Sequence, residues 1–191
     1  MTIAALILTG NLATYSEYAY AADRLREADA ELAIATRSKQ TVYGELKGPA
    51  GLVHAGPIIP TRDIPSTAET QAYDLLVLPG GAKAMEYLRQ DRDVIDYISG
   101  FHAHGGVIAS ICHAAQLLIS AGLVKGRRIA GYYSIRDDIE NAGGTFVDGV
   151  VVDDRIVTAP HYRFNGEWMA VALREVERRR LSWAEHHASN Y

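Results

Sequence analysis

Four short aliphatic runs, Ile3–Leu8, Leu32–Thr36, Leu75–Leu78 and Val107–Ile111, constrain this chain more than any other feature. Each has strand length and is apolar at consecutive positions, so both of its faces must be covered. A strand with one wet face would alternate instead. Between the runs lie segments of helical period. Tyr18, Ala21, Ala22, Leu25 and Ala28 share one face, with Asp23, Arg24, Arg26 and Glu27 largely outside it. Val94, Ile95 and Ile98 form a second apolar stripe, and Leu117, Leu118 and Val124 follow a third helix start. This alternation predicts an α/β fold, a doubly wound and mostly parallel sheet with helices on both faces and right-handed crossovers.

Two stretches break the rhythm. Gly44 to Ala72 carries Pro49, Pro57, Pro60 and Pro65 and reads as irregular, with a short hairpin around Leu52–Ile59. Thr145–Thr158 reads as two β segments about the turn-prone pair Asp153-Asp154. Before it, Ser134 followed by Asp137 resembles a capping box, and Gly143 suits a helix end. The last helix is expected from about Gly166, with Trp168, Ala172, Leu173 and Val176 on one face. Beyond it, residues 179–191, with the basic run Arg178–Arg180 at their head and His186-His187 within, read as an exposed tail. With 191 residues, 48% of them hydrophobic, and no repeat or long linker, one domain over 1–191 is expected.

Composition removes several function classes. A net charge of -4 argues against nucleic-acid binding, which needs a basic stripe to displace counterions. No apolar run reaches the ~18 to 20 residues of a membrane span. Met1-Thr2 leads straight into the first apolar run without a basic region, unlike a secretory signal. One cysteine, Cys112, permits no internal disulfide and suits a reducing compartment, so a soluble, cytoplasmic protein is expected.

Chemistry belongs at the carboxyl ends of such strands, beside the point where the strand order reverses. The candidates there are Thr9-Gly10-Asn11, Pro79-Gly80-Gly81, Cys112-His113 and Pro160-His161-Tyr162. Cys112 stands between a buried strand and the helix beginning at His113, where unpaired N–H groups favour a thiolate and a tight turn exposes a nucleophile. A small buried hydrophobe is the alternative. His113 takes the thiol proton or contributes only its backbone N–H. Gly80 and Gly81 let N–H groups approach a substrate oxygen, or serve simply as a steric turn. His161 enters the same pocket as a second proton carrier or lies at the surface. His102 and His104, two apart on a helix end, make a poor metal pair. With one cysteine and no HExxH spacing, no metal is expected. Thr9-Gly10-Asn11 lacks the dinucleotide fingerprint, and no Walker-type loop occurs.

Leu78-Pro79-Gly80-Gly81, Ala109-Ser110-Ile111-Cys112-His113 and Gln116–Gly122 together resemble the ThiJ/PfpI family. Ile135–Gly143 and Trp168-Met169 continue the likeness, which runs from the first strand to about Arg178. The resemblance implies a flavodoxin-like fold, a reactive cysteine at the elbow, and a glutamate bonded to it. Glu17 occupies the matching place. Beside a thiolate such a carboxyl is expected to stay protonated, because two contacting anions repel. The resemblance also implies an oxyanion role for Gly80-Gly81 and a place near the cysteine for Tyr132. Three positions depart from the family pattern. Ala114-Ala115 replaces the common Gly-Pro after Cys-His, and Thr14 replaces an acidic residue. Met85 stands where PfpI-like proteases draw a glutamate from the neighbouring subunit, with Glu86 one residue away.

The resemblance therefore implies a cofactor-independent cysteine enzyme acting on a small-molecule carbonyl or a glycated adduct, glyoxalase-like or deglycase-like. A PfpI-like peptidase or amidase is the alternative within hydrolysis. A redox sensor or stress-protective protein, using the same thiol for controlled oxidation, is the third. The family implies a homodimer or higher homo-oligomer.

Overall fold

The computed structural model describes the backbone of residues 2–48 and 51–188, and the side chains of these except 47, 48, 52–54 and 183–188. The chain runs β1 (Ala4–Leu8), α1 (Tyr15–Glu27), β2 (Glu31–Ala35), β3 (Val42–Gly48), β4 (Gly51–Ile58), β5 (Leu75–Leu78), α2 (Ala82–Leu88) and α3 (Arg92–Ala103). It continues through β6 (Val107–Ile111), α4 (Ala115–Ser120), β7 (Arg128–Ile129), α5 (Arg136–Asn141), β8 (Thr145–Phe146), β9 (Val151–Asp153), β10 (Ile156–Ala159) and α6 (Asn165–Ala188).

The central sheet has the order β2-β1-β5-β6-β10-β9 and is parallel except for the edge strand β9. Every residue of β5, β6 and β10 is buried, as aliphatic runs without polar alternation require. Helices α1 and α6 pack on each other, and α2 and α3 pack on α4, supplying the covering layers. The apolar faces expected on α1, α3 and α6 are buried, down to Trp168 and Val176 at zero exposure. At the β9–β10 hairpin, Asp154 and Arg155 both take positive φ, the mirror-image turn that matches strand twist. Gly143, at φ +84°, ends α5 as its position suggested.

Three local readings of the sequence change. The stretch from Gly44 is not irregular at its start. Instead β3 (Val42–Gly48) pairs antiparallel with β4 (Gly51–Ile58) in a hairpin longer than the one expected around Leu52–Ile59, with a register shift between Gly44 and Glu45. Gly44 makes it possible, since a Cβ there would lie 2.6 Å from the Tyr15 ring. Main-chain bonds from Leu12 N to Tyr43 O (2.7 Å) and from Glu45 N to Ala13 O (2.8 Å) lay this hairpin against the first strand–helix loop.

The capping box at Ser134 does not form. A 3-10 turn over Tyr133–Ile135 precedes α5, whose N-terminus carries no side-chain cap. The segment expected as an exposed tail begins differently: Arg179 and Arg180 are half-buried, and exposure starts at Leu181 and Ser182. Helix α6 continues to Ala188, and Arg180 donates to Asp74 Oδ2 (2.7 Å) and Thr2 O (2.7 Å), with Arg179 also on Asp74 (3.4 Å). Arg179 and Arg180 pin the helix to the N-terminal ends of the inner strands β1 and β5, because Asp74 also accepts from Ala4 N at 3.0 Å. The side chains of His186 and His187 and residues 189–191 lie outside those described.

His102 is likewise structural. Its Nε2 lies 2.8 Å from Asp154 O, at the end of the sheet opposite the strand termini that carry Cys112 and Gly80. His104 Nδ1 contacts Gly100 O at 2.8 Å. Asp74→Ala deletes three partly buried partners at once, so unfolding in urea should show a loss of about 2 kcal/mol. Hydrogen exchange at the end of α6 should accelerate in the same variant.

Candidate active site

Strands β1 and β5 are neighbours although the chain leaves them toward opposite sides of the sheet, so the order reverses between them. The loops after β1, β5 and β6 converge there. Cys112 follows β6 directly and takes φ +62°, a left-handed conformation costing a side-chain-bearing residue about 1–3 kcal/mol. The turn persists because its surroundings hold it. Tyr132 N–H donates to Cys112 O at 3.0 Å, and a 3-10 turn over Cys112–Ala114 leads into α4. Ala114 and Ala115, where the family commonly has Gly-Pro, are fully buried in the core under this turn.

Glu17 reaches the same point from the first turn of α1. It is completely buried, and its Oε2 accepts from Gly80 N–H at 2.8 Å. The carboxyl and the Cys112 thiol lie within hydrogen-bonding range of each other, and Oε1 has no other partner. Gly80 cannot carry a side chain. A Cβ there would lie 2.6 Å from Cys112 Cβ, 2.8 Å from Glu17 Oε2 and 2.9 Å from Ile111 O. Gly81 sits at φ +112° and would press on the backbone of Leu12, Ala13 and Thr14. The pair of glycines thus allows β5, α1 and the elbow to meet, and it frees the Gly81 N–H to point at sulfur.

Burial dominates the electrostatics. It lifts the Glu17 carboxyl from 4.5 to about 7, against the opposing pull of the Gly80 N–H and the thiol. It also pushes the Cys112 thiol well up, with the Glu17 charge adding to the rise and the N–H groups of His113 and Gly81 opposing it. The helix-start potential inferred from sequence is therefore present but outweighed by desolvation.

Both roles left open for His113 are geometrically available. Its N–H serves the sulfur, and its ring Nδ1 lies 3.3 Å from Cys112 Sγ. Adjacent residues face one another here because the cysteine is left-handed, which departs from helical spacing. The ring stacks on Tyr132 (4.7 Å between centroids, 24° between planes), and Tyr132 stacks on His161 (5.9 Å, 24°). Burial lowers the His113 imidazole, with the Glu86 charge opposing. Met85 is fully buried, whereas Glu86 is exposed and paired with Lys83 at 3.0 Å.

A cavity of about 660 Å³ opens above this cluster. Glu17, Gly81, Cys112, His113, Tyr132 and His161 line it, so the structure gathers nearly every residue singled out from the sequence, with Gly80 just behind. Thr14 lines it too, its N–H bonded to Gly80 O at 2.9 Å. Sequence reasoning missed Glu45 and Leu46, which come from β3, the strand of the hairpin it did not place, whereas Tyr162, named among the strand-end candidates, lines the cavity with its ring 3.9 Å from that of His161. It also missed Ser134, whose Oγ lies 3.3 Å from His113 Nε2. Only the residue's failure to cap α5 could have signalled it. Among the described residues no group of three or more His, Cys, Asp or Glu could hold a metal ion, and no helix is long and apolar enough to cross a membrane.

The sequence profile of the DJ-1/PfpI family matches residues 3–175. The chain belongs to that family. It is 36% identical to deglycase PfpI of Pyrococcus furiosus over 165 residues, 86% of this chain and 93% of that one. It is 37% identical to protein/nucleic acid deglycase 2 of Escherichia coli over 147 residues, 75% of this chain and 80% of that one. DJ-1beta of Drosophila melanogaster shares the fold, with a TM-score of 0.76 at 24% identity, covering 96% of this chain and 98% of that one. The flavodoxin-like architecture of this DJ-1/PfpI chain is therefore shared along almost its whole length.

The raised Glu17 carboxyl has a consequence for stability. Between pH 4.5 and about 7 the folded protein holds a proton that the unfolded chain has released, so stability falls as pH rises through that window. Below the window both states are protonated and the penalty is absent. Glu17→Gln keeps the shape without the charge. Its stability relative to the native chain should climb by up to about 3 kcal/mol across the window and level off above it, as measured by urea unfolding at a series of pH values.

Proposed function

We propose that this protein is a cofactor-independent cysteine enzyme that acts on small reactive carbonyls or their early adducts, deglycase-like or glyoxalase-like. The relatives named deglycases support the class of substrate. The observation that carries the reading is the fully buried Glu17 carboxyl in contact with the Cys112 thiol at the floor of an open cavity.

The two groups titrate as a pair, burial raising both, so the first proton is lost well above the ordinary carboxylate range. Hydrogen-bond accounting says where the remaining proton rests. An ionised Glu17 would be a fully buried charge whose Oε1 could take only the weak S–H donor of Cys112, a costly state. A neutral Glu17 keeps Gly80 N–H on Oε2 and points its own O–H from Oε1 to sulfur. The sulfur then holds the charge, facing two backbone N–H groups and that O–H.

The thiolate attacks the aldehyde carbon of a 2-oxoaldehyde, forming the C–S bond, while the carbonyl oxygen takes the Glu17 proton and becomes the hydroxyl of a hemithioacetal. The Gly81 N–H, released as the sulfur loses its charge, stabilises the oxygen as its charge develops, while the Gly80 N–H stays on Glu17. The carboxylate left on Glu17, assisted by His113, moves the proton from the carbon bearing sulfur to the adjacent carbon, while the hemithioacetal hydroxyl gives its proton to the neighbouring carbonyl oxygen. This yields a 2-hydroxy thioester. Water then cleaves the C–S bond, releasing the hydroxy acid and restoring thiolate and acid. The net reaction is addition of one water to the oxoaldehyde. Tyr132, His161 and Tyr162 wall the cavity, whose volume accommodates an adduct still attached to an amine.

Incubation with methylglyoxal should consume the oxoaldehyde and form lactate. Cys112→Ala should lower the rate by at least about 100-fold; equal activity in that variant rejects the assignment.

A further inference from the structure

The thiol–acid pair accounts for the near nitrogen of His113 but leaves its far nitrogen without a function. A histidine working beside a thiol is held in place by a third group on the nitrogen that faces away. Here that nitrogen is Nε2, and its partner is Ser134 Oγ at 3.3 Å. Resting on the reading of Cys112 and His113 given above, we propose that Ser134 is the positioning residue of His113, a hydroxyl that lets the imidazole exchange tautomers and pass a proton while staying neutral.

Local structure prepares Ser134 for this. Its 3-10 turn is pinned to the elbow, since Tyr132 N–H donates to the Cys112 carbonyl at 3.0 Å and Ile135 N–H donates to Tyr132 O at 3.0 Å. Tyr132 then lays its ring on that of His113, fixing the plane in which Nε2 points. The hydroxyl is not consumed as a helix cap, because α5 has none. Ser134 is exposed, so the same oxygen also meets bulk water.

The choice of a hydroxyl matters chemically. A carboxylate could only accept, and would hold Nε2 permanently protonated while stabilising an imidazolium. A serine both donates and accepts. With Nε2–H donating to Oγ, Nδ1 presents a lone pair to the reacting centre; with Oγ–H donating to Nε2, Nδ1–H faces the sulfur. Nδ1 can therefore gain a proton as Nε2 releases one to Oγ and Oγ–H releases one to water. Imidazole and hydroxyl both end neutral, and the reverse order returns the proton. A half-buried ring that resists charging, as the lowered His113 basicity describes, is suited to this route.

The test compares native protein with Ser134→Ala and Ser134→Thr, using methylglyoxal turnover and the nitrogen-15 NMR shifts of the His113 ring. The proposal expects the alanine variant to lose about tenfold in kcat with KM changed by less than about twofold. It also expects the ring shifts to move from a tautomer-averaged pair toward one tautomer, and threonine to restore both readouts. Unchanged ring shifts and kcat in Ser134→Ala overturn it. So does a threonine variant as impaired as alanine, because the hydroxyl would then be irrelevant. If the native protein does not turn over methylglyoxal, the carbonyl reading fails by itself, and the His113 ring shifts alone decide the role of Ser134.

Discussion

One buried carboxyl organises the strand ends. Glu17 sits at zero exposure between the Gly80 N–H and the Cys112 thiol, linking α1, the end of β5 and the end of β6 through a single side chain. Its burial costs free energy that grows with pH, and the strained backbone of Cys112 adds a further cost. Neither is explained by packing. Both are tolerated because the remainder of the molecule, a sheet buried on both faces and covered by helices, is conventional and stable.

The glycines belong to the same constraint. Three elements can converge within one carboxyl's reach only if no Cβ stands at Gly80 and the backbone turns left-handed at Gly81. Cavity, elbow and acid are thus consequences of one steric requirement at the switch point, and the ring stack of His113, Tyr132 and His161 is laid over them as a wall.

Much of this was legible in the sequence, for physical reasons. Strands covered on both faces leave continuous aliphatic runs, so β1, β5 and β6 announced themselves, and a lone cysteine directly after β6 located the elbow. Glu17 is different: on its helix nothing separates it from a solvated carboxylate, and only the family resemblance singled it out. A hairpin was expected around Leu52–Ile59, but its β3 arm was hidden because Gly44, Gly56 and Pro57 read as loop residues, whereas Gly44 admits the ring of Tyr15. The end of α6 was hidden because a run of arginines resembles a solvated tail until Asp74, more than a hundred residues earlier, is seen opposite it. Ser134 was misread for a related reason. A serine three residues before an aspartate satisfies a local rule, but its hydroxyl answers to a tertiary partner, and no local pattern encodes that partner.

The central claim is that the negative charge of the Glu17–Cys112 pair rests on sulfur while the carboxyl stays neutral. The ultraviolet absorbance of the thiolate, followed against pH in the native protein and in Glu17→Gln, tests this most directly. The account predicts that the thiolate appears at lower pH in the native protein than in the variant, because the amide is a weaker donor to sulfur than the acid. A midpoint that falls in Glu17→Gln would show that Glu17 is a carboxylate repelling the thiolate, and would contradict the account.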